Sequence, residues 1–226
     1  MTVRLAPIEG YRLWSETWEA DPSAIVALES RWAGPWLSDL RGKSFFDVSC
    51  GAGRWLAHAH SQGAVVFGTD LCREMLLRAW DKPGLTGRLA LAETTRLPLR
   101  TGCADVVLCA LSLGHISNMK AALSELARIV RSRGRLIVTD FHPDALRLGW
   151  KRTFRSNGQL YEIETYLYTK ERLIECDSES GLVLENLLEP GFDEPERPIF
   201  DRARKQYLYE QVRGVPAVLL ARWTRP

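Results

Sequence analysis

Residues 44–54 read Ser44-Phe45-Phe46-Asp47-Val48-Ser49-Cys50-Gly51-Ala52-Gly53-Arg54, and this stretch decides the fold. Ser44–Ser49 reads as a strand, two glycines follow at once, and a helix runs on to about Gln62. Glycines at a strand-to-helix junction let the backbone turn sharply and approach a ligand without a Cβ in the way. The helix that follows offers free N–H groups and the positive end of its dipole. A lone Gly-x-Gly is weak evidence, but Ala64–Asp70 reads as the next strand and ends on an acid 17 residues after Gly53. A carboxylate there is placed to accept both hydroxyls of a ribose.

Outward from this core the alternation continues. Cys72–Trp80 reads as a helix, Gly87–Ala92 as a short strand, and Ala104–Ala110 as a continuous apolar strand buried on both faces. Asn118–Arg131 is an amphipathic helix with Asn118 as N-cap and Gly134 just past its end, and Arg135–Asp140 is a fifth strand. Strands alternating with helices over short connections define an α/β, Rossmann-like doubly wound fold with right-handed crossovers. After Phe141, Trp150–Arg155 and Gln159–Tyr168 flank Ser156-Asn157-Gly158, a strong hairpin signal. Tyr161, Ile163, Thr165 and Leu167 then share one face, Glu162 and Glu164 the other. Thr169–Ser180 reads as a helix, Leu182–Leu188 as a sixth strand and Val215–Arg222 as the last, whose Pro216 suits an edge or a strand start. The expectation is one domain over 1–226: a mostly parallel seven-stranded sheet with an antiparallel edge strand and a β-hairpin insertion after the fifth strand. Residues 1–40 form an N-terminal helical lid and 144–168 a hairpin that covers the substrate.

Composition narrows the function. The chain has 226 residues, 46% hydrophobic and 26% charged, with a net charge of +2. Splitting it after Leu113 gives 12 basic and 12 acidic residues, then 18 and 16, so no basic arm awaits a phosphate backbone and nucleic acid is disfavoured. Five cysteines (Cys50, Cys72, Cys103, Cys109 and Cys176) form no CxxC pair and no metal-ligand spacing, which points to reduced cytoplasmic thiols and no metal. Neither a secretory leader nor a membrane span is legible. Leu56 stands where a dinucleotide fingerprint has its third glycine. Asp47, six residues before Gly53, suits an ammonium-bearing ligand better than a diphosphate. Both weigh against a nicotinamide cofactor.

The runs FDVSCGAGRW (46–55), VFGTDLCREML (66–76), ALAETTRLPLRTGCADVVLCALSLGHI (90–116) and ELARIVRSRGRLIVTDFHP (125–143) resemble, in order, the class I S-adenosylmethionine-dependent methyltransferases. The likeness is greatest to the small-molecule branch that includes the ubiquinone/menaquinone-type enzymes, and YRLWSETWE (11–19) is similar to that branch's aromatic N-terminal segment. The resemblance implies S-adenosylmethionine as cofactor and S-adenosylhomocysteine as product. It places Asp47, Ser49, Cys50, Gly51 and Gly53 around the methionine part, Asp70 on the ribose, and Leu71 and Met75 beside the adenine. Ala92, Glu93 and Thr94 would edge the adenine, Ala110 and Leu111 would floor the sulfonium, and Tyr11, Trp14 and Trp18 would close over the top. Read from spacing alone, Tyr11, Trp14 and Trp18 share one helical face, which either packs on the sheet or caps a ligand. Two positions depart from the family: Ser49 where glycine is usual, costly only if that backbone needs positive φ, and Glu93 where aspartate is usual.

The implied chemistry is an in-line displacement in which the cofactor carries the methyl and the protein aligns reactants and excludes water. His115 and His142 follow the fourth and fifth strands, at the carboxyl edge where ligands bind in such sheets, so each is either a general base or a loop hydrogen-bonding group. His58 and His60 fall in the helix after the glycine loop, away from that edge. Arg152, Tyr161, Tyr166 and Arg197 are the candidate acceptor contacts. The acid-plus-Pro-Pro-Tyr/Phe segment of nucleic-acid amine methylases is absent; Cys109–Ile116 stands there instead. The expected partner is therefore a small-molecule acceptor. Alternatives are a cofactor-binding protein without methyl transfer, or an enzyme using the bound sulfonium electrostatically for cyclisation or elimination.

Overall fold

The computed structural model describes residues 2–20, 22–175 and 180–226. The chain begins with β1 (Thr2–Leu5), α1 (Pro7–Trp14) and α2 (Ala24–Ala33). The alternating core follows as β2 (Ser44–Val48), α3 (Arg54–Ser61), β3 (Val65–Asp70), α4 (Arg73–Trp80), β4 (Leu89–Leu91), β5 (Ala104–Ala110), α5 (Met119–Ile129) and β6 (Val130–Phe141). Then come α6 (Pro143–Arg147), β7 (Thr153–Ser156), β8 (Gln159–Ile163), α7 (Lys170–Glu175), β9 (Val183–Leu188), α8 (Arg197–Arg202), α9 (Gln206–Val212) and β10 (Val218–Thr224). Seven strands form the main sheet in the order β4-β3-β2-β5-β6-β10-β9, and β10 runs antiparallel to both its neighbours. The edge strand β9 is thus paired antiparallel. Pro216 stays just outside β10, because a strand bonded on both sides needs every N–H.

Alternation along the strands fills two cores. Phe45, Val66, Val106 and Leu108 pack with α2 and α3 on one face, while Phe46, Val107 and Cys109 pack with α5 on the other. The order reverses between β2 and β5, which opens a crevice at the carboxyl ends of those strands.

Several boundaries differ from the sequence reading, each for a physical reason. The helix expected over Asn118–Arg131 stops at Ile129, and the fifth main-sheet strand begins at Val130. Gly134 lies inside that strand and is no helix cap. A Cβ there would sit 2.8 Å from the Arg131 carbonyl oxygen and 3.0 Å from that of Ala104, so close backbone approach demands glycine. The hairpin turns at Asn157 and Gly158, both at positive φ, as Asn-Gly predicts. Its second arm ends at Ile163 instead of Tyr168, because the Glu164 N–H turns away to the Leu5 carbonyl (3.0 Å). The helix expected over Thr169–Ser180 is observed as α7; residues 176–179, including Cys176, lie outside the described residues.

One element has no counterpart in the sequence reading. β1 pairs parallel with β8, Val3 opposite Tyr161 and Leu5 opposite Ile163, to make a three-stranded sheet of order β1-β8-β7. Gly10 of α1 packs so closely on Ile163 that a Cβ would lie 2.8 Å from its Cγ1. The N-terminal segment and the hairpin are therefore one structural unit.

Candidate active site

The crevice is built first from the loop between β2 and α3. Ser49, Gly51 and Gly53 all adopt positive φ (59°, 54° and 76°). Ser49 thus occupies the left-handed region at a cost of about 1 kcal/mol or more. Its hydroxyl lies 3.0 Å from Thr94 Oγ1, which ties the loop to the segment after β4. A Cβ on Gly51 would stand 3.3 Å from Met75 Cε, so the bare backbone faces α4. Leu56 is fully buried, and the space a third glycine would provide comes from the neighbouring strand: a Cβ on Gly68 would lie 2.4 Å from Leu56 Cδ1.

Two acids serve this loop in different ways. Asp70 accepts the Gly51 N–H on Oδ2 and the Cys72 N–H on Oδ1, both at 2.8 Å. Burial raises its pKa against those backbone donors. Asp47 is 2% exposed, and its Oδ1 has no hydrogen-bond partner among the described residues. Burial drives its carboxyl well above the usual range, opposed by Arg54 and reinforced by Glu29 and Asp70. An orphaned buried carboxylate oxygen calls for a cationic donor. An acid at the next strand end, beside backbone N–H groups, calls for hydroxyl donors. Glu29 was missed by sequence reasoning. Wholly buried on α2, it accepts from Arg54 Nη2 (2.8 Å), Trp55 Nε1 (3.1 Å) and Thr139 Oγ1 (3.0 Å), locking the N-terminal segment to the start of α3 and to β6. Nothing local marks it as different from any other helical glutamate.

The aromatic stripe covers this loop. Tyr11 and Trp18 pack against Ala52, Cys72 and Met75. Trp14 stacks on Phe154 (4.8 Å, 6° between planes), and Phe154 on Tyr161 (5.3 Å), so the cover is continuous from α1 to the hairpin. Of the expected adenine contacts, Met75 and Thr94 are buried, Ala92 is half-buried, and Leu71 and Glu93 are exposed. Cys50 is buried, while Ala110 and Leu111 are half-buried at the end of β5, Leu111 with φ of +53°.

Beyond Leu111 the structure brings together Tyr11, His115, Asp140 and Arg152. The Tyr11 hydroxyl donates to His115 Nε2 at 3.0 Å, and His115 Nδ1–H donates to the Glu164 carbonyl at 2.9 Å, which sets the tautomer. Burial, with help from the Arg152 charge, pushes the His115 pKa down to about 3. Burial raises the Tyr11 phenol, with Arg152 the largest opposing influence. Asp140 accepts the Gly114 N–H (2.5 Å), the Phe141 N–H (2.7 Å) and Arg152. His142 is placed otherwise. Its Nδ1 accepts the Asp144 N–H (3.1 Å) as N-cap of α6, and its Nε2 donates to Glu189 (2.9 Å). Tyr166 is exposed and anchored through its N–H to the Gly114 carbonyl (2.7 Å), whereas Arg197 is engaged elsewhere, with Glu194 (3.5 Å) and the Tyr209 ring.

A stability consequence follows from His115. Its folded pKa lies below the unfolded value near 6.5, so the unfolded state holds the proton between about pH 6.5 and 3. Stability is present above that window and lost as pH falls, by roughly 3 kcal/mol at pH 4. Asp47 and Asp70, raised by burial, act with the opposite sign from the usual carboxylate range upward, so that their contribution improves as pH falls toward about 4. Denaturant melts at pH 7 and pH 4 on wild type and His115→Gln isolate the effect: the variant should lose markedly less stability on acidification. Equal losses would mean that His115 is not held neutral.

The fold is one shared with S-adenosylmethionine-dependent methyltransferases of known structure, and the stretch that builds the crevice is similar in sequence to methyltransferases. Residues 46–138 match the model of the family described as methyltransferase domain. The chain is 32% identical over 106 residues to a demethylmenaquinone methyltransferase of Thermus thermophilus (45% of this chain, 48% of that protein). It is 33% identical over 107 residues to the methyltransferase GfsG of Streptomyces halstedii (44% and 38%). The chain thus spans about half or less of the length of these curated relatives. Among solved structures, an S-adenosylmethionine-dependent methyltransferase from Mesorhizobium loti aligns with a TM-score of 0.70 at 20% identity, over 90% of this chain and all of that one. Among the described residues no helix is long and apolar enough to cross a membrane, and no cluster of His, Cys, Asp or Glu has metal-binding geometry.

Proposed function

We propose that this protein transfers the methyl group of S-adenosylmethionine to a small-molecule acceptor. The observation that carries the reading is the pair of acids at adjacent strand ends. Asp47 has a buried oxygen awaiting a cationic donor, and Asp70 stands over a glycine backbone. Such a donor set fits a ligand with an ammonium group at one end and ribose hydroxyls in the middle. When bound, the cofactor supplies an electrophilic methyl on a sulfonium. The chain's part is to hold and enclose. Asp47 takes the ammonium, Asp70 the hydroxyls, and the backbone of Ser49, Cys50, Gly51 and Gly53 lies along the chain between them. Leu71, Met75, Ala92, Glu93 and Thr94 flank the base, and Ala110 and Leu111 lie under the reacting centre.

Residues 1–40 act as the lid and 144–168 as the acceptor cover. They are joined through β1 and β8, so both move together to exclude water. His115 positions the Tyr11 hydroxyl in the closed state. The even charge distribution supports an acceptor other than nucleic acid. Cys50, Cys72, Cys103 and Cys109 are unpaired, which supports a reducing, cytoplasmic setting.

The test is calorimetric titration of S-adenosylmethionine, S-adenosylhomocysteine and NADH into the purified protein. Micromolar binding of the first two, with NADH at least about 100-fold weaker, is expected from a site with one buried carboxylate aimed at an ammonium. NADH binding as tight as S-adenosylmethionine would sink the reading.

A further inference from the structure

The charges that act on Asp47 are those of Arg54 from α3, Glu29 from α2 and Asp70 from the end of β3. The thiols of Cys50 in the loop and Cys109 on β5 lie within reach of the Asp47 charge, and burial keeps both neutral, pushing Cys109 up to about 12. Asp140, at the end of β6, adds to the negative field at Cys109 but is paired with Arg152. Three carboxyls beside one guanidinium, in a setting almost closed to water, leave the empty crevice short of positive charge.

The hydrogen bonds decide which acid goes without support. Glu29 accepts from Arg54 Nη2, Trp55 Nε1 and Thr139 Oγ1. Asp70 accepts the N–H groups of Gly51 and Cys72. Asp47 is as buried as they are, yet its Oδ1 has no hydrogen-bond partner among the described residues. Arg54 does not come to its aid. Its Nη2 is spent on Glu29 (2.8 Å), its Nη1 donates to Ser30 Oγ (2.7 Å), and its guanidinium carbon lies 4.6 Å from the centre of the Trp55 ring. Glu29 and Ser30 both belong to α2, so that helix draws the cation away from Asp47. A buried carboxyl stays ionised where donors surround it and keeps its proton where they do not. The proton that balances the empty crevice therefore falls on Asp47.

Resting on the methyltransferase reading above, we propose that Glu29 is a positioning residue for the cofactor: by holding Arg54 on α2 it leaves Asp47 carrying a proton in the empty crevice, which the ammonium of S-adenosylmethionine displaces. The proton passes from Asp47 to solvent as the ammonium docks on the carboxylate, so the ammonium takes over the charge of the proton it replaces. A nucleoside without an ammonium leaves that proton in place. Were Arg54 free to turn to Asp47, it would fill the position that the ammonium needs.

The test is calorimetric titration of S-adenosylhomocysteine, and of 5′-methylthioadenosine as the same nucleoside thioether without the ammonium. Each is titrated in PIPES and in imidazole between about pH 6 and 8, and the difference between the buffers gives the protons released per molecule bound. At about pH 6, S-adenosylhomocysteine should release more than about half a proton and methylthioadenosine less than about a tenth, and Asp47→Asn should abolish the difference. Glu29→Gln removes the charge that holds Arg54 and should move the release profile down by about one pH unit, whereas Arg54→Gln should move it up by about as much. A purely structural loss at α2 would weaken both ligands and move neither profile. If one of these variants does not fold, the direction of the shift in the other decides. Binding of S-adenosylhomocysteine without proton release, equal release by methylthioadenosine, release retained in Asp47→Asn, or a folded variant whose profile fails to move in its stated direction overturns the proposal and leaves the methyltransferase reading standing. No binding of S-adenosylhomocysteine overturns that reading and this proposal with it.

Discussion

Replacing Asp70 by alanine is expected to weaken S-adenosylhomocysteine binding by about 100-fold or more, the value of two charge-assisted hydrogen bonds to hydroxyls. The loss has a second source in the protein itself. Asp70 holds the Gly51 and Cys72 N–H groups, so its removal frees both the glycine loop and the start of α4. Asp70→Asn separates the two. An amide keeps an acceptor for one backbone N–H but gives up the charge and one acceptor oxygen, so it should restore part of the loop and little of the affinity. Folding is expected to suffer much less than binding. Burial raises the Asp70 pKa, so removing the carboxylate relieves a desolvation cost while orphaning two donors, leaving a net of about 1–2 kcal/mol. Calorimetry on the three proteins, with a thermal melt on each, checks this. Affinity within threefold of wild type in Asp70→Ala would remove Asp70 from the cofactor site.

The largest effect on stability is expected at a residue that would touch neither cofactor nor acceptor. Glu29→Ala removes the acceptor shared by Arg54, Trp55 and Thr139 and leaves a wholly buried cavity at the meeting of α2, α3 and β6. Breaking a buried pair from one side typically costs about 3–5 kcal/mol, because the remaining charge and donors stay desolvated. For a chain of this size that lowers Tm by roughly 10 °C. Glu29→Gln preserves an acceptor for Trp55 and Thr139 and should cost about half as much. Urea denaturation of both variants decides the matter. A loss under about 1 kcal/mol in Glu29→Ala would show that α2 is held by apolar packing alone.

A fair part of this molecule is written in short stretches of chain. The turn from β2 into α3 needs only residues 44–54, because strand, glycines and helix are neighbours in sequence and each preference is local. Asn157-Gly158 specifies its turn for the same reason, and Asp70 is placed simply by ending the strand that pairs beside β2. The uniform apolar run of Ala104–Ala110 announces a central strand without any knowledge of its neighbours.

Other features depend on atoms brought together from afar. Ser49 was legible as a departure, but only the folded loop shows that it takes positive φ and finds Thr94 in compensation. Leu56 stands in the chain where a third glycine is usual, and only the folded sheet shows Gly68, on another strand, making room for it.

The sequence by itself therefore determined the α/β alternation, the glycine loop, the acid at the end of β3 and the hairpin, since their causes act over a few residues. Tertiary structure alone decided the joining of β1 to β8, the anchoring of α2 by Glu29, and the meeting of Tyr11 with His115 across 104 positions. The physical reason is that hydrogen bonding, desolvation and pKa depend on what surrounds a group. For Arg152 and His115 those surroundings come from the ends of β5 and β6, from α1 and from the hairpin, which no local pattern brings together.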